Sequence, residues 1–588
     1  MASAADTNPV PPAASVPSAS VEEAGGASPV LLAMARVGPF AIWAVVILGA
    51  FLSRPPTAPI ELETLSTAWH MLQTGSWVPL LNGEIAATTP PLHDWLILLG
   101  WQAFGVSEAW PRLLGALAAL AALFLVGTAA RTLWPHRATT QIFSRILMAG
   151  LGGFIVTASM IAPEVVALPI ELAGFQAICM LRQNRDGGLV RRGALWLLFT
   201  LCVTADLFMV GWTALLLLPP IALLAPHVRD ALGDPAARPR GWRRVQWRIA
   251  VLVGTTAAVV LACLWLSFAT QGRAVGLDDF LRFGFGWSNS NSEATRNAPW
   301  TLILTPMLLF PWVVWKTLWR ALARQTRDGY GFGFRLCLIF LAGAIVSGIA
   351  SGVQLQGMMP IGAPLALIGA RLLANQAIKP KDFHAVVPGF IALMLGLFFF
   401  LMNMIPTAHL DALWRQFFGA ALPIWLGGSG LTSGIVLFVG GYILAQMSPA
   451  RQLSRTLQVA CIPVLLITCA NIEFPNSLGA FFDLKPIGSK MRELQDAGQE
   501  IAVYGPYRGE YDFYGRLTAA PKVLLSEEDA LAWAKTHPRG AIVTRFDGSA
   551  LDLPALPYFR GVARDRWVAI WPTSTVLDTN GAVLASTF

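Results

Sequence analysis

The chain has 588 residues, 55% of them hydrophobic and only 13% charged, with a formal net charge of +8. A soluble domain carries about 25% charged residues, so this composition, with its mean hydropathy of +0.57, excludes an ordinary soluble protein and describes a polytopic membrane protein. The positive balance is not a nucleic-acid footprint, because the basic residues cluster in a few short loops, as cytoplasmic loops do.

Residues 1 to 28 are rich in Ala, Ser, Pro and Val. They carry too little bulk to bury a core, so a disordered cytoplasmic tail over 1–35 is expected. The tail lacks a basic region followed by an apolar one, so it is not read as a cleaved signal peptide. The first apolar run, 39–53, should stay as a span. Further spans are expected at 110–131, 142–161, 164–181, 194–206, 207–226, 249–268, 300–319, 335–351, 360–377, 386–405, 424–446 and 457–471. Cys179, Cys202, Cys263, Cys337, Cys461 and Cys469 all fall in apolar runs without a CxxC pair, so neither disulfides nor a Cys-ligated zinc site is expected.

Basic residues fix the sides. Arg131, Arg137 and Arg145 flank one loop, Arg182, Arg185, Arg191 and Arg192 fill the next, and Arg229 to Arg248 a third. Placing these in the cytoplasm closes the alternation under two conditions. Residues 194–226 must hold two short helices, with Asp206 near the turn between them. The stretch "PPLHDWLILLGWQAFG" (90–105) must not cross. Its apolar run is shorter than the roughly 20 residues a span needs, and His93 and Asp94 stand at its head. It is expected to lie on the outer surface as an interfacial helix, with Trp95 and Trp101 at headgroup depth. This gives about thirteen spans, with the N-terminus inside.

The outer face then receives the long first loop 54–109, a short turn at Ala162-Pro163-Glu164, the loop 269–299 and a C-terminal part. In the C-terminal part "IAVYG" (501–505), "KVLL" (522–525), "AIVT" (541–544) and "WVAIW" (567–571) read as strands, and 526–537 as a helix capped by Ser526. A transmembrane region 36–472 followed by a small periplasmic α/β domain 473–588 is expected.

Candidate chemistry gathers on that face. Glu61 and Glu63 open a second interfacial helix, with Leu65, Ala68, Trp69 and Leu72 at helical spacing. Two readings stay open. The glutamates complement the helix N-terminus, or one faces a cavity as a general base. Glu164 sits at a turn between spans, where carboxylates usually face an interior cavity. Arg54, Arg273, Arg282 and Arg296 are candidates for a negative group. Glu84, His93 and His70 lack metal-ligand spacing. No GxGxxG, P-loop or HExxH is present. Polar residues gather at span ends rather than mid-span, and no inverted repeat is visible, which disfavours a transporter or flippase.

The order of these pieces resembles the GT-C glycosyltransferases, specifically the protein O-mannosyltransferase and lipid A aminoarabinose transferase superfamily. The resemblance rests on Glu61, Met71, Gly75-Ser76-Trp77, Pro79, Asn82-Gly83, Pro90-Pro91-Leu92 and Trp95, then "FGVSEAWPRLLGALAAL" (104–120), and more loosely on "NAPWTLILTPMLLFPW" (297–312) and "YDFYGRL" (511–517). It implies a bacterial inner-membrane enzyme of the cell envelope. Its reaction would carry a sugar from a polyprenyl-phosphate donor to a lipid, glycan or protein acceptor on the periplasmic side, as in lipopolysaccharide modification. It assigns Glu61 as base, Glu164 as its assistant through a divalent cation, and Arg282 or Arg296 as the phosphate contact; Arg54, Glu63, Glu84, His93, Arg273 and Gln356 are the candidates for binding substrate. The family's first acid falls at Ile60, its Lys before Pro-Pro at Thr88-Thr89, and its Leu-Thr-Lys-Gly turn at Val203-Thr204-Ala205-Asp206. These departures leave a second expectation, an accessory protein that binds lipid-linked glycan without turnover.

Overall fold

The computed structural model describes residues 29–57, 60–86, 89–183, 188–228, 241–270, 283, 305–324, 331–351, 356–374, 386–418, 430–447, 452–477, 479–546, 556–563 and 566–584. Arg273, Arg282 and Arg296, the tail 1–28 and nearly all of the loop 269–299 lie outside them.

Helix α1 (Pro29–Ser53) begins inside the segment expected to be a tail. It is followed by α2 (Ile60–Thr74), a hairpin of β1 (Leu80–Leu81) and β2 (Glu84–Ile85), and α3 (Leu92–Phe104). The hairpin turns on Asn82-Gly83, with φ of 51° and 78°. Two successive positive φ values are what a two-residue primed turn requires, and Asn-Gly accommodates them at least cost. The bundle continues through α4 (Ala109–Leu133), α5 (Ala138–Ala149), α6 (Gly152–Thr157), α7 (Pro163–Gln183), α8 (Leu189–Val210), α9 (Leu218–Leu224), α10 (Gly241–Ala269), α11 (Lys316–Arg324), α12 (Phe332–Ala350), α13 (Gly362–Ala374), α14 (Val386–Met404), α15 (Thr407–Phe418), α16 (Leu431–Gln446) and α17 (Gln452–Ser477).

Among the described residues eight helices are long and apolar enough to cross a membrane, or nine if a bent pair, Val387–Met402 and Thr407–Phe417, is one span. The expected count of about thirteen is not reached there. Two expected elements differ for visible reasons. The run 142–161 breaks between α5 and α6, where Gly150 abuts Ala460 so closely that an added Cβ would lie 2.6 Å from the Ala460 Cβ. The expected turn near Asp206 is absent. Helix α8 runs straight through it and stops at Gly211, whose φ of 72° ends the helix.

Helix α3 is 13 residues long and is not among the helices able to span, in line with its reading as a non-crossing helix. Its Trp95 is half-buried and packs edge-on against Trp265 at 5.1 Å. Trp101, expected at headgroup depth, is instead 2% exposed and stacks on Phe513. The apolar stripe of α3 meets protein here rather than lipid.

The C-terminal part adds α18 (Gly479–Phe482), α19 (Lys485–Asp496), β3 (Ile501–Tyr504), α20 (Asp512–Gly515), β4 (Lys522–Leu524), α21 (Glu527–Thr536), β5 (Ala541–Phe546), β6 (Phe559–Ala563), β7 (Arg566–Pro572) and α22 (Thr573–Asp578). The five strands order as β4-β3-β5-β7-β6, with β3 parallel to both neighbours and β7 antiparallel to β5 and β6. Strand β3 lies inside the sheet and is buried throughout, as a near-continuous apolar run in a covered sheet should be. Strand β6 and helix α19 were not read from the sequence. Ser526 caps α21 as expected, accepting a hydrogen bond from the Asp529 N–H at 3.1 Å. Ser526→Ala is expected to cost about 1 kcal/mol, read as faster amide exchange confined to 527–536. Unchanged exchange there would contradict it.

One apolar cluster joins the sheet to the membrane part. Leu62, Leu65 and Met71 of α2, Ile97, Leu98 and Trp101 of α3, and Tyr511 and Phe513 beside the sheet share it. The sheet is therefore packed onto α2 and α3 rather than tethered beside them.

Candidate active site

Helix α2 positions the first acids. Its apolar residues Leu62, Leu65, Ala68 and Met71 are buried, which fixes the rotation of the helix and the direction of Glu61 and Glu63. Glu61 is 0% exposed. Its Oε1 accepts from Arg54 Nη2 at 3.2 Å and from the Ile161 N–H at 2.8 Å. Its Oε2 accepts from Arg54 Nη1 at 2.9 Å and from the Thr57 N–H and hydroxyl, each at 2.7 Å. A carboxylate offers about four lone-pair sites, and these five donors fill them. Arg54 is equally engaged, since Nη2 also donates to the Ser159 carbonyl at 2.9 Å. The pair thus ties the start of α2 to the turn before α7. Buried charges are tolerated when paired in this way. The arrangement anchors the chain and leaves Glu61 no lone pair for a proton or a metal.

Glu63 stands two residues on, on the opposite side of the helix from Glu61. Its side chain is 28% exposed, and Arg508 Nη1 approaches to 3.4 Å. Burial raises its pKa above the usual carboxylate value, with Arg508 acting against the rise. Asp94 of α3 is 3% exposed, and among the described residues no donor reaches its carboxylate. Burial and then the neighbouring Glu63 charge push it up to about 8. His93 beside it is 3% exposed, and its Nε2 has no hydrogen-bond partner among the described residues. Burial lowers its pKa to about 4, so the ring is neutral at ordinary pH.

The sheet covers this rim with the turn that follows β3. Asp512, 0% exposed, accepts from Ser66 Oγ at 3.1 Å and from the Tyr507 hydroxyl, and lies 2.9 Å from His70 Nε2. Gly509 in that turn has φ +74°, and an added Cβ would meet Ser66 Oγ at 2.2 Å, so only glycine allows this approach. Asn82 Nδ2 donates to the Tyr507 carbonyl at 2.8 Å and Trp69 Nε1 to Leu517 at 2.9 Å. Tyr514 donates to Glu108 at 3.0 Å. Glu510 pairs with Arg545 at 3.1 Å. Arg508, Glu510 and Arg545 thus stand at the carboxyl ends of β3 and β5, the edge where α/β sheets place ligands.

Glu164 lies in the first turn of α7, half-buried, three residues beyond the Ile161 amide held by Glu61. Two further acids follow inside the bundle. Gly174 of α7 approaches Cys202 of α8, where an added Cβ would lie 3.1 Å from the Cys202 Cβ. One turn along each helix toward the acidic rim come Glu171 and Asp206, 3% and 0% exposed. Glu84 is exposed on the hairpin, and Gln356 opens a 3-10 turn over Gln356–Ile361. Among the described residues no three His, Cys, Asp or Glu side chains are placed to hold a metal. The oxygens of Glu61 are taken, so Glu164 is the acid left for the divalent cation that the resemblance implies.

The structure therefore brings Glu61 together with Arg54, places Glu164 three residues from the Ile161 amide that Glu61 holds, and sets His93 beside Asp94, whose pKa feels Glu63. The sequence reading missed Asp94, Asp512, Arg508, Glu510 and Arg545. Asp94 had a signal, an acid heading the stripe Ile97, Leu98 and Trp101 at helical spacing.

No family model matches the chain. It is 23% identical over 441 residues, 72% of each chain, to the undecaprenyl phosphate-alpha-4-amino-4-deoxy-L-arabinose arabinosyl transferase of Pectobacterium carotovorum subsp. carotovorum strain PC1. It is 32% identical over 108 residues to an uncharacterized protein of Aquifex aeolicus strain VF5, a match over 18% of this chain and 21% of that one. Its fold matches ArnT from Cupriavidus metallidurans bound to undecaprenyl phosphate, with TM-score 0.65 and 17% identity over 92% of this chain and 98% of that one. The apo state of the same protein matches with TM-score 0.64 and 16% identity, over 92% and 97%.

Proposed function

We propose that this chain, a multi-pass membrane protein with the GT-C fold, is a glycosyltransferase that moves a sugar from a polyprenyl-phosphate donor to a lipid, glycan or protein acceptor. It works in a bacterial inner membrane, with the N-terminus in the cytoplasm and α2, α3 and the sheet on the periplasmic side. The observation that carries this reading is where the acids lie. Glu61, Glu63, Asp94 and Glu164 gather at the end of the bundle that the sheet covers. Arg131 ends α4 and Arg182 ends α7 at the other, as the charge rule for cytoplasmic loops requires.

Glycosyl transfer from a lipid phosphate needs a group to take the acceptor proton and positive charge to stabilise the departing phosphate. Glu61 acts here as a positioning residue. It holds the loop before α2 and the turn before α7 in one register, so that Glu164 and the rim acids face the same space. The phosphate contact falls to an arginine of the loop 269–299, Arg282 or Arg296, because both Nη atoms of Arg54 are already engaged. Glu84, His93, Arg273 and Gln356 remain candidates for substrate contact.

A second reading is favoured by one observation, the isoleucine at position 60 beside a saturated Glu61. In it the chain binds the lipid-linked sugar without turning it over. Purified protein is incubated with a panel of polyprenyl-phosphate sugars, with and without membrane lipid extract, and released polyprenyl phosphate is measured. Release supports the transferase. Binding without release across the panel supports the accessory reading, and neither binding nor release contradicts both.

A further inference from the structure

The acids at the covered end differ in what they have left to offer. Glu61 is filled by Arg54, Thr57 and Ile161. Glu108 holds Tyr514 and Lys485. Asp512 holds Ser66, His70 and Tyr507. Glu510 holds Arg545 and the Arg508 N–H. Among the described residues that leaves Glu63, met by Arg508 at 3.4 Å, Glu164, half-buried in the first turn of α7, and Asp94, met by no donor. Asp94 is too buried to meet a substrate, and of the other two Glu63 is the one that faces an arginine of the sheet. Asp94 heads the stripe by which α3 packs against α2, and His93 adds a second buried group whose Nε2 has no partner among the described residues.

Resting on the transferase reading above, we propose that Glu63 is the base that takes the acceptor proton and that Asp94, packed behind it on α3, is its positioning partner. In the step, the acceptor O–H bond breaks and its proton passes to Glu63. The oxygen pair forms the bond to the anomeric carbon. The bond from that carbon to the phosphate oxygen breaks, and the electron pair leaves with polyprenyl phosphate.

The charges facing Asp94 set the pH behaviour. The charge that bears on Asp94 is that of Glu63 on α2, and Glu63 in turn feels Arg508 and Glu510 from the sheet. Glu63 must be ionised to act, so activity falls as pH drops through its raised pKa. Asp94 stays neutral until pH rises through about 8, where a second negative charge beside Glu63 repels the anionic donor. The account expects kcat/KM for the donor to follow a bell, with its alkaline limb near 8.

The test compares wild type, Glu63→Gln, Glu63→Asp, Asp94→Asn and Glu164→Gln, using release of undecaprenyl phosphate from whichever donor wild type turns over and binding of undecaprenyl phosphate itself. Glu63→Gln is expected to lose about 10²- to 10⁴-fold in turnover with lipid phosphate still bound, and Glu63→Asp to recover part of it. Asp94→Asn is expected to lower turnover less than Glu63→Gln does and to lose the alkaline limb while the acid limb stays in place. If Glu63→Gln remains active, or if Glu164→Gln alone collapses, this assignment is overturned while the transferase reading stands. If wild type releases nothing from any donor, it is the transferase reading that fails.

Discussion

Glu61→Gln is expected to destabilise the whole covered end of the bundle, not to slow one chemical step. The substitution removes the charge that Arg54 faces and offers an amide N–H₂ to donors that need an acceptor. Arg54 is only 12% exposed and Glu61 0%, so the guanidinium cannot simply return to water. Breaking a buried pair by removing one partner costs about 3–5 kcal/mol. The Thr57 and Ile161 amides lose their acceptor as well. Thermal unfolding in detergent should show a clear fall in apparent Tm, with donor binding and turnover lost together. Glu63→Gln, on the exposed side of the same helix, should leave the Tm where it was. An unchanged Tm in Glu61→Gln with activity alone abolished would return Glu61 to the role of base.

Asp512→Ala is expected to loosen the sheet from α2. One buried carboxylate serves Ser66, His70 and Tyr507, from segments more than 430 residues apart in sequence for the first two. Removing it strands these groups without water, at about 1–3 kcal/mol for each buried group left unsatisfied. Burial and the Asp512 charge already hold the Tyr507 phenol well above its usual pKa, so it stays a donor and cannot supply the missing charge. Amide exchange should rise in 60–74 and 501–515 together while the α4–α7 packing stays protected. Tyr507→Phe, which removes one donor and leaves the acceptor satisfied twice, should cost about 1 kcal/mol. Exchange confined to 501–515 in Asp512→Ala would mean that the shared apolar cluster, and not this carboxylate, holds the sheet in place.

What the sequence disclosed follows the range of the interactions. Helix α3 could be read as non-crossing because its length and its flanking Pro90-Pro91 and Asp94 are local facts. The strands β3, β4, β5 and β7 and the Ser526 cap were readable for the same reason. The break at Gly150 was not, because it depends on Ala460, a residue more than 300 positions away. The turn expected near Asp206 came from charge parity, yet nothing in "LCVTADLFMV" stops a helix before Gly211. The site divided in the same way. Acids at the starts of α2 and α7 were visible as acids. That Glu61 is saturated and Glu63 is not depends on Arg54, Thr57 and Ile161 meeting in space. Asp512 and Arg508 approach α2 only through the packing of the sheet, and no local pattern could report it.

The most direct measurement is to locate the lipid phosphate. A polyprenyl phosphate with a photoreactive group beside its head is bound to the purified full chain, irradiated, and the labelled peptides are identified. Labels within 54–74, 89–104, 159–171 and 269–299 are predicted, competed away by undecaprenyl phosphate and weakened in Glu61→Gln. Labels confined to the arginine end, around Arg131 and Arg182, or labels that undecaprenyl phosphate does not displace, would contradict a transferase site under the sheet.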